Sequence, residues 1–429
     1  MSIVGYDITP PLMRRVRTFL IHHVIKKFLQ RVVYGSLGAI GLTSRIGHIG
    51  RDLPPLTPAT FHPRRILVIR TDLMGDLVLS LPAIHAMRRA YPEATIDVLI
   101  LAANAGVVKH DQAISRIVTY DPNIWRRPGA FMSAASYKEF LGVLRDLRTQ
   151  RYDLCLSLCG DWASILAFFS KARRRVGYRG EAYPFFMTDP VPGRRYRARQ
   201  HEVDYVLGVA KAAGGIVGEG QREPAMTVSE SAREEVRALL AASGVQKGPL
   251  LIAAHAGATN GMAKRWPLPF WAALADQLIA QLGAKVILTG APSDADMTGA
   301  VAAQMRQQPL DFAGKTSVQQ LAALLAECDL VISGDSGPLH MAGAVGTPVV
   351  AIHGPTDPAL SGPAGKDATV LRLGLFCSPC YDASLWAECR FFNPVCMKGI
   401  TPDEVFEAAR ARLERAGRIQ GQAPVVQHL

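Results

Sequence analysis

Apolar and polar positions alternate in blocks along most of this chain. From residue 64 onwards, short apolar runs rich in β-branched residues are each followed by a turn and a helical pattern. Such runs are typical of strands buried in a parallel sheet. The predicted strands are 65–70, 95–101, 153–158, 250–257, 284–290, 329–334 and 348–354, and the predicted helices include 77–90, 270–282 and 318–327. This alternation predicts an α/β fold.

The strands fall into two sets, which predicts two domains. One set ends near residue 160 and the other begins after residue 249, with an Arg-rich, loop-rich stretch (171–224) between them. A chain of 429 residues is long enough for two cores. We therefore expect two doubly wound, Rossmann-like domains, 64–225 and 226–429, that face each other across a cleft.

Residues 1–63 form a separate segment with a different pattern. Residues 11–34 place apolar side chains at helical spacing with basic ones largely between them, and 52–63 are Pro-rich, as in a linker. The first 51 residues hold eight Lys/Arg and one acid, a net charge of +7 out of +12 for the whole chain. The excess charge is therefore local, and it indicates an anchor on an anionic membrane rather than nucleic-acid binding. The alternatives are a helix packed on the protein itself or a partner-binding helix.

Neither a membrane-spanning run nor a secretory signal is visible in the sequence. We therefore predict a cytoplasmic protein, peripheral on the inner face of the inner membrane, whose cysteines stay reduced. Four of its seven cysteines have the spacing C-x2-C-x8-C-x6-C: Cys377, Cys380, Cys389 and Cys396. Four clustered thiols favour a structural zinc or iron ion, with a disulfide or free thiols as the alternatives. Four protein ligands would leave no open position for catalysis.

Several familiar short motifs are absent. The stretch 312–317 resembles the end of a Walker loop, but position 309 is Pro where that motif needs Gly. No G-x-G-x-x-G follows a predicted strand, and no G-x-S-x-G is present. These absences argue against a P-loop nucleotidase, a nicotinamide enzyme and an α/β-hydrolase.

Three loops that follow predicted strands carry residues suited to chemistry. After the first strand, Gly75 permits a turn and Asp76 stands at a helix start, either as a cap or as a general base. In the loop after 250–257, Lys264 precedes a helix, as a diphosphate site requires, although an isolated Lys is more often a surface cation. After 329–334, "DSGPLH" offers a carboxylate, a hydroxyl and unobstructed backbone N–H groups at a helix start.

These loops, in this order and wording, resemble glycosyltransferase family 9, the ADP-heptose:lipopolysaccharide heptosyltransferases. The resemblance runs from about residue 64 to 413 and includes "RILVIRTDLMGDLVLSLPAIHAMRRAYPEATID", "HAGATNGMAKRWPLPFWAALADQL", "VILTGAPSDAD", "DLVISGDSGPLHMAGAVGTPVVAIHGPTDP" and "ITPDEVFEAARARL". It implies a GT-B fold, with the acceptor on the N-terminal domain and the nucleotide-sugar on the C-terminal one. It also implies inversion at the anomeric carbon and no cofactor for catalysis.

The resemblance also implies roles for individual residues. Asp76 matches the proposed catalytic base, and Lys264 matches the lysine that neutralises the leaving diphosphate. The residues that match donor contacts are Thr259, Asp294, Asp335, Ser336, Gly337 and His340, of which Asp294 lies about where the family has an acidic residue near the ribose.

The sequence departs from the family in two places. A doublet of threonines found in some members is reduced here to Thr259, and the cysteine loop is not a feature of the best-known members. The Arg-rich stretches 171–180 and 193–202 predict either an anionic, lipid-linked glycan acceptor or a solvated loop. Two other functions stay open: a nucleotide-sugar epimerase of GT-B fold, and a catalytically idle membrane-associated scaffold.

Overall fold

The computed structural model describes residues 54–127, 129–179, 184–193, 199–245, 248–258, 261–381, 389 and 391–420. These residues divide into two compact units, one ending at Thr227 and the other beginning at Val228. The predicted amphipathic helix at 11–34 lies outside the described residues, and so do the first two residues of the predicted linker at 52–63. No helix in the described ranges is long and apolar enough to cross a bilayer.

A six-stranded parallel sheet forms the centre of the N-terminal unit, with the strand order β3-β2-β1-β4-β5-β6. Its strands are β1 Arg65–Arg70, β2 Thr95–Ile100, β3 Arg116–Thr119, β4 Leu154–Ser157, β5 Arg174–Tyr178 and β6 Asp189–Val191. The chain moves outward from β1 in one direction and then returns to β4 on its other side. In such sheets, ligands bind at the carboxyl ends of the strands beside this reversal.

Helices lie between most of these strands, because each parallel connection has to cross from one end of the sheet back to the other. The α-helices in the described part of this unit are α1 Met74–Val78, α2 Leu81–Ala90, α3 Ala105–Val108, α4 Ala134–Thr149, α5 Gly160–Phe169 and α6 Glu202–Ala212. The 3₁₀ turns are Ala102–Asn104, Pro122–Arg126, Ala130–Met132 and Pro184–Phe186. The core beneath α4 and α5 holds apolar side chains of β1, β2 and β4 with an aromatic group around Trp125.

The single helix predicted for 77–90 is two helices. Helix α1 ends at Val78, and α2 begins at Leu81 with Pro82 in its first turn. Proline has no N–H to continue the hydrogen-bond ladder of a preceding helix, and the Ser80 hydroxyl donates to the Asp76 carbonyl. The break places Asp76 on a short helix of its own, directly after β1.

The Arg-rich stretch from 171 is not the loop that composition predicts. Its arginines Arg174 and Arg175 lie on β5 and are buried. Arg174 forms an ion pair with Asp189 on β6, and Arg175 donates to the carbonyls of Ala172 and Phe186. These two arginines stabilise the edge of the sheet, because each buried guanidinium has an acceptor. They are therefore not part of a solvated loop.

The C-terminal unit repeats this architecture with the strand order β12-β11-β10-β7-β8-β9. Its strands are β7 Leu251–His255, β8 Lys285–Leu288, β9 Leu310–Asp311, β10 Leu330–Gly334, β11 Val349–Ile352 and β12 Ala368–Leu371. All pairings are parallel. Read from β9 to β12, the order is the same as that from β3 to β6. The reversal therefore lies between β7 and β10.

Eight α-helices and two 3₁₀ turns are described in the C-terminal unit. The α-helices are α7 Glu230–Ala242, α8 Leu268–Leu282, α9 Ala295–Ala302, α10 Val318–Glu327, α11 Gly337–Ala344, α12 Pro358–Ser361, α13 Val395–Lys398 and α14 Pro402–Arg415. The 3₁₀ turns are Met262–Lys264 and Pro292–Asp294. Trp266 anchors the loop after β7 in the core, where its indole N–H donates to the Ile400 carbonyl at 2.9 Å and its ring meets Trp271 edge-on.

The predicted α/β fold with two doubly wound sheets is confirmed. Each predicted strand is present, with ends shifted by at most a few residues, and the helix at 318–327 has the predicted bounds. The pattern missed β3, β5, β6, β9 and β12, which are short or carry charged residues. Edge strands bury less apolar surface than central ones, so they leave a weaker periodic signal.

Candidate functional site

The loops after β7 and β10 begin side by side. Strand β10 pairs directly with β7, and Ser333 lies opposite His255 near their carboxyl ends. A Cβ added at Gly334 would lie 3.5 Å from the Lys264 carbonyl, so the two loops pass in van der Waals contact. The sheet therefore brings together residues that are about 70 positions apart in the sequence.

Lys264 and Asp335 form a close ion pair at this edge. The Lys264 Nζ lies 2.8 Å from the Asp335 Oδ2, and each side chain is only 10% exposed. Lys264 is therefore not the isolated surface cation that was the alternative reading of its loop. A buried ammonium held by one carboxylate is a fixed positive charge, as binding a phosphate group requires.

Two histidines surround the Asp335 carboxylate. His340 on α11 places its Nε2 3.8 Å from Asp335 Oδ1, and His353 after β11 is fully buried nearby. Burial by itself would raise the pKa of Asp335, but the polar contact with His340 and the charge of Lys264 hold that pKa far below its usual range. Asp335 is therefore a permanent carboxylate at any physiological pH.

The same surroundings keep His353 uncharged, whereas they keep Asp335 charged. Burial lowers the pKa of His353 to about 4; the charge of Asp335 opposes this shift, and His340, Lys264 and Arg372 add smaller lowering effects. Its Nδ1 lies 3.2 Å from the Thr356 hydroxyl. His353 is thus neutral at pH 7 and part of the packing that surrounds the ion pair.

Helix α11 begins beside this ion pair without a side-chain cap. Ser336 is its N-cap residue, and the Ser336 hydroxyl meets the Ser333 hydroxyl at 2.8 Å instead of a helix N–H group. Gly337 and Pro338 follow, so no bulky side chain stands over the first turn. Uncapped N–H groups and the positive end of the helix dipole favour an anion at this position.

Asp294 lies at the neighbouring strand end, after β8. Its Oδ2 accepts the Ala291 N–H at 2.9 Å, and a Cβ added at Gly257 would touch both Asp294 Oδ2 and His255 Nε2. Burial lowers the pKa of His255, although the Asp294 charge partly opposes this. Asp294 therefore has a local structural role, and it also lies at the carboxyl edge where the resemblance places it.

Tyr381 belongs to this site and was missed in the sequence. Its ring lies 4.6 Å from the Lys264 Nζ, a cation–π distance. The N–H groups of Cys380 and Tyr381 both donate to the Pro355 carbonyl, which holds the start of the cysteine loop at the end of β11. No sequence signal links Tyr381 to Lys264, because 117 positions separate them. We call Lys264, Asp335, His340, His353 and Tyr381 the Asp335 cluster.

The four cysteines of the loop lie near one another. Burial, together with smaller contributions from the charges of Cys380, Cys389 and Cys377, raises the pKa of Cys396 to about 11. All four are free thiols. Gly354 leaves room for Cys396 and Met397 of α13, since a Cβ at residue 354 would clash with both. The loop therefore packs directly against the strand end beside the Asp335 cluster.

The structure does not support a metal ion at these cysteines. Across the described residues, which include all four, no group of three or more His, Cys, Asp or Glu side chains has the arrangement to hold a metal ion. The four cysteines lie near one another, but their side chains do not have the arrangement of metal ligands. The predicted zinc or iron ion therefore rests on their spacing and proximity alone.

In the N-terminal unit, Arg70 forms the centre of a second charged group. Its guanidinium contacts Asp72 at 2.8 Å, Asp76 at 3.2 Å and Glu202 at 2.8 Å, and it donates to the Leu158 carbonyl. Arg70 itself is 1% exposed. The N-cap residue of α1, Leu73, makes no side-chain cap, and the Asp76 carboxylate in the first turn is an ion-pair partner of Arg70. We call these four charged residues the Arg70 cluster.

The predicted site residues thus fall into three groups. Lys264, Asp335, Ser336, Gly337 and His340 are brought together at the ends of β7 and β10, with Asp294 one strand away. Asp76 lies at the end of β1 in the other unit. Thr259 lies outside the described residues.

Two solved structures share the fold of this chain. The structure resembles a glycosyl transferase of family 9 from Veillonella parvula, with a TM-score of 0.67 at 24% identity over 82% of this chain and 97% of that one. It also resembles ADP-heptose lps heptosyltransferase II of E. coli, with a TM-score of 0.64 at 24% identity over 82% and 99%. The two doubly wound sheets therefore have the GT-B fold.

The sequence comparisons identify the family. The family model "Glycosyltransferase family 9 (heptosyltransferase)" matches residues 141–389. The lipooligosaccharide heptosyltransferase 2 of Haemophilus influenzae is 30% identical over 329 residues, which cover 72% of this chain and 88% of that protein. The chain belongs to glycosyltransferase family 9, and it is a glycosyltransferase.

The burial of His353 makes stability depend on pH. Because its pKa falls from 6.5 unfolded to about 4 folded, its contribution is present above pH 6.5 and is lost as the pH falls towards 4. We expect the C-terminal unit to lose on the order of 2 kcal/mol between pH 7 and pH 4.5 from this residue. Urea unfolding at pH 7, 5.5 and 4.5 measures this loss.

The matched variants are His353→Asn, which removes the titrating group, and His62→Asn, which removes an exposed histidine. His353→Asn should flatten the pH dependence, and His62→Asn should leave it unchanged. An equal pH dependence in all three proteins would contradict the assignment.

Proposed function

We propose that this chain is an inverting glycosyltransferase that moves a heptose, or a related sugar, from an ADP-linked donor to a lipopolysaccharide core or another glycan acceptor. Family membership supports transfer chemistry over the epimerase and the idle scaffold. The relatives that span most of the chain are lipopolysaccharide and lipooligosaccharide heptosyltransferases, and the alignment covers 88% of their length. Their names support the heptose donor and the lipopolysaccharide acceptor.

The observation on which the proposal depends is the buried Lys264–Asp335 pair beside the start of α11. When the bond from the sugar to the diphosphate breaks, its electron pair stays on a phosphate oxygen, so negative charge grows on the departing ADP. An ammonium and uncapped N–H groups that are already in place stabilise this charge most in the transition state. In this proposal no metal ion is needed for catalysis.

The acceptor hydroxyl requires a base, and we assign that role to Asp76. The Asp76 carboxylate takes the hydroxyl proton, and the acceptor oxygen forms a bond to the anomeric carbon as the bond to the diphosphate breaks. Attack opposite the leaving group inverts that carbon. Arg70 orients the base, because it holds Asp76 between two other carboxylates on a buried guanidinium.

The remaining predicted residues are assigned to the donor. We assign Ser336, Gly337 and His340 to the sugar and phosphates, Thr259 to the phosphates, and Asp294 to the ribose. Support for Asp294 is its place at the end of β8, next to the strand that leads to Lys264. The assignment of Thr259 rests on sequence resemblance alone.

We also propose where the enzyme works. A lipid-linked, anionic acceptor requires access to a membrane, and the basic pattern at 11–34 suits a peripheral anchor on the inner face of the inner membrane. The arginines available to an anionic acceptor are fewer than composition predicts, because Arg174 and Arg175 are buried in the sheet. Arg173, at the start of the same stretch, has a side chain that is 81% exposed.

Replacing the proposed base tests the mechanism. Asp76→Asn should lower the transfer rate by about 10²–10⁴-fold and leave ADP affinity unchanged, because a positioned general base contributes a factor of that size. Transfer rate and ADP calorimetry measure the two effects. Asp72→Asn is the matched control, since Asp72 also contacts Arg70. Equal losses in both variants would show that the effect comes from the ion-pair cluster and not from proton transfer.

Replacing the residues around the ammonium tests the diphosphate site. Lys264→Ala should weaken ADP binding at least tenfold, the order expected for a charge-assisted contact. Tyr381→Leu should weaken it roughly fivefold, because the cation–π contact is lost, whereas Tyr381→Phe retains an aromatic face and should stay within about twofold. Calorimetry with ADP measures all three.

The control for Tyr381 is Phe376→Leu, which removes a ring that is 98% exposed on the same loop. It should leave ADP affinity unchanged. If Tyr381→Phe and Tyr381→Leu lose affinity equally, the ring is not acting through its π face. If Lys264→Ala binds ADP normally, the diphosphate site is elsewhere.

We keep a structural zinc or iron ion at the four cysteines as a hypothesis from their spacing. A metal would have to displace the proton of Cys396, whose pKa is raised by burial, because only a thiolate ligates. Elemental analysis after reducing purification should find about one metal ion per chain, and Cys377→Ser/Cys380→Ser should lose it. Cys155→Ser, a buried thiol of the other unit, is the control. Less than about half a metal ion per chain rejects the hypothesis.

A further inference from the structure

Helix α4 and the turn before it expose large apolar side chains. The exposed fractions are 69% for Phe131, 90% for Met132, 44% for Tyr137 and 54% for Leu141. Single exposed apolar residues are normal on protein surfaces, whereas several in one place mark an interaction site. The adjoining face of α4 is buried through Leu144 and Leu147, so the helix is fixed to the core.

These side chains form one surface. The rings of Phe131 and Tyr137 both contact the buried ring of Trp125, with centroid distances of 5.4 Å and 5.1 Å. Leu141 follows Tyr137 by one helical turn. The exposed rings are thus supported by an aromatic core and presented rigidly.

Basic residues lie on the same side of α4. Lys138, Arg145 and Arg148 are exposed and fall at helical spacing around Leu141. The acids of this helix are Glu139, which is exposed, and Asp146, which is held by two hydrogen bonds from Arg116. The surface therefore has excess positive charge next to its apolar residues.

The basic side continues into a shallow hollow at the end of α4. Arg148, Lys171 and Arg173 line it together with the rings of Phe168 and Phe169. Arg148 is positioned by a hydrogen bond to the Phe169 carbonyl. Cations above an apolar floor match the headgroup and upper chain of an anionic lipid.

We propose that α4 and the turn at 131–132, which we call the α4 face, are a second membrane-contact surface that binds an anionic bilayer. Phe131, Met132, Tyr137 and Leu141 enter the interface, while the basic residues contact phosphate groups. A helix with an apolar stripe and basic residues beside it lies in the plane of such an interface. The α4 face lies within the folded N-terminal unit and is distinct from residues 11–34.

The position of the α4 face suits a lipid-linked acceptor, and for that purpose the inference rests on the proposed function. The turn at 131–132 belongs to the connection that leaves the carboxyl end of β3. Asp76 lies at the carboxyl end of β1, and strands of a parallel sheet end at the same edge. The apolar turn and the proposed base therefore share one edge of the N-terminal sheet.

A bilayer fits this surface better than a second copy of the chain. A symmetric contact between two copies through this surface would place Lys138 and Arg145 of one copy close to the same basic residues of the other copy. Like charges in an interface are unfavourable without intervening anions. An anionic bilayer supplies the opposite charge to all of these residues at once.

Vesicle binding by the full-length chain tests the proposal. The vesicles are phosphatidylethanolamine with phosphatidylglycerol, compared with phosphatidylcholine alone, and no nucleotide-sugar is added. Met132→Ser/Leu141→Ser and Lys138→Glu/Arg145→Glu should each lower partitioning on anionic vesicles by roughly tenfold. The control, Lys211→Glu/Ile216→Ser, changes an exposed cation and an exposed apolar residue on another part of the same unit and should bind normally.

Two further measurements separate the explanations. Both α4 variants should transfer sugar to a delipidated, soluble acceptor at the normal rate, which shows that they are folded. Lys26→Glu/Lys27→Glu tests the N-terminal anchor separately. Normal vesicle binding by both α4 variants overturns the proposal. It is also overturned if sedimentation shows that the unchanged protein is a dimer through this surface and that the only effect of the substitutions is to separate the two copies. Because the binding assay uses no donor, a wrong donor sugar would not affect this result.

Discussion

The ion pair between Lys264 and Asp335 is the interaction around which the C-terminal site is organised. Two charges that are each 10% exposed are costly to desolvate, so they persist only where further polar partners surround them. His340 and the ring of Tyr381 supply those partners. The result is an ammonium that cannot move far, next to a helix start with uncapped N–H groups. For a leaving diphosphate, such a fixed positive region needs no reorganisation when charge develops.

Sheet topology makes this arrangement available. In both units the strand order reverses between the two central strands, which leaves their carboxyl ends open for polar loops. The Arg70 cluster at the end of β1 and the Asp335 cluster at the ends of β7 and β10 use the same position of the same topology. In each, a buried cation holds a carboxylate that the proposed reaction needs, as a base in one unit and as a partner of the ammonium in the other.

The cysteine loop shows how an additional segment joins an existing site. Its start is hydrogen-bonded to the Pro355 carbonyl, and α13 packs on Gly354, so the loop is attached where β11 ends. The Tyr381 ring centroid then lies 4.6 Å from the Lys264 Nζ. Tyr381 directly follows Cys380, so the same short loop carries two of the four thiols and the ring beside the lysine.

The sequence by itself determined the α/β class, the central strands and the three loops with chemistry, because buried strands and glycine-rich turns have strong local patterns. It also indicated Asp76, Lys264 and Asp335 as candidate site residues. Only the tertiary structure decided that Arg174 and Arg175 are sheet residues, that Asp76 pairs with Arg70, and that the Lys264 ammonium lies over the Tyr381 ring. Each of these depends on partners distant in the chain. Local pattern carries no information on such pairs, since pairing is set by how strands and loops pack after they form.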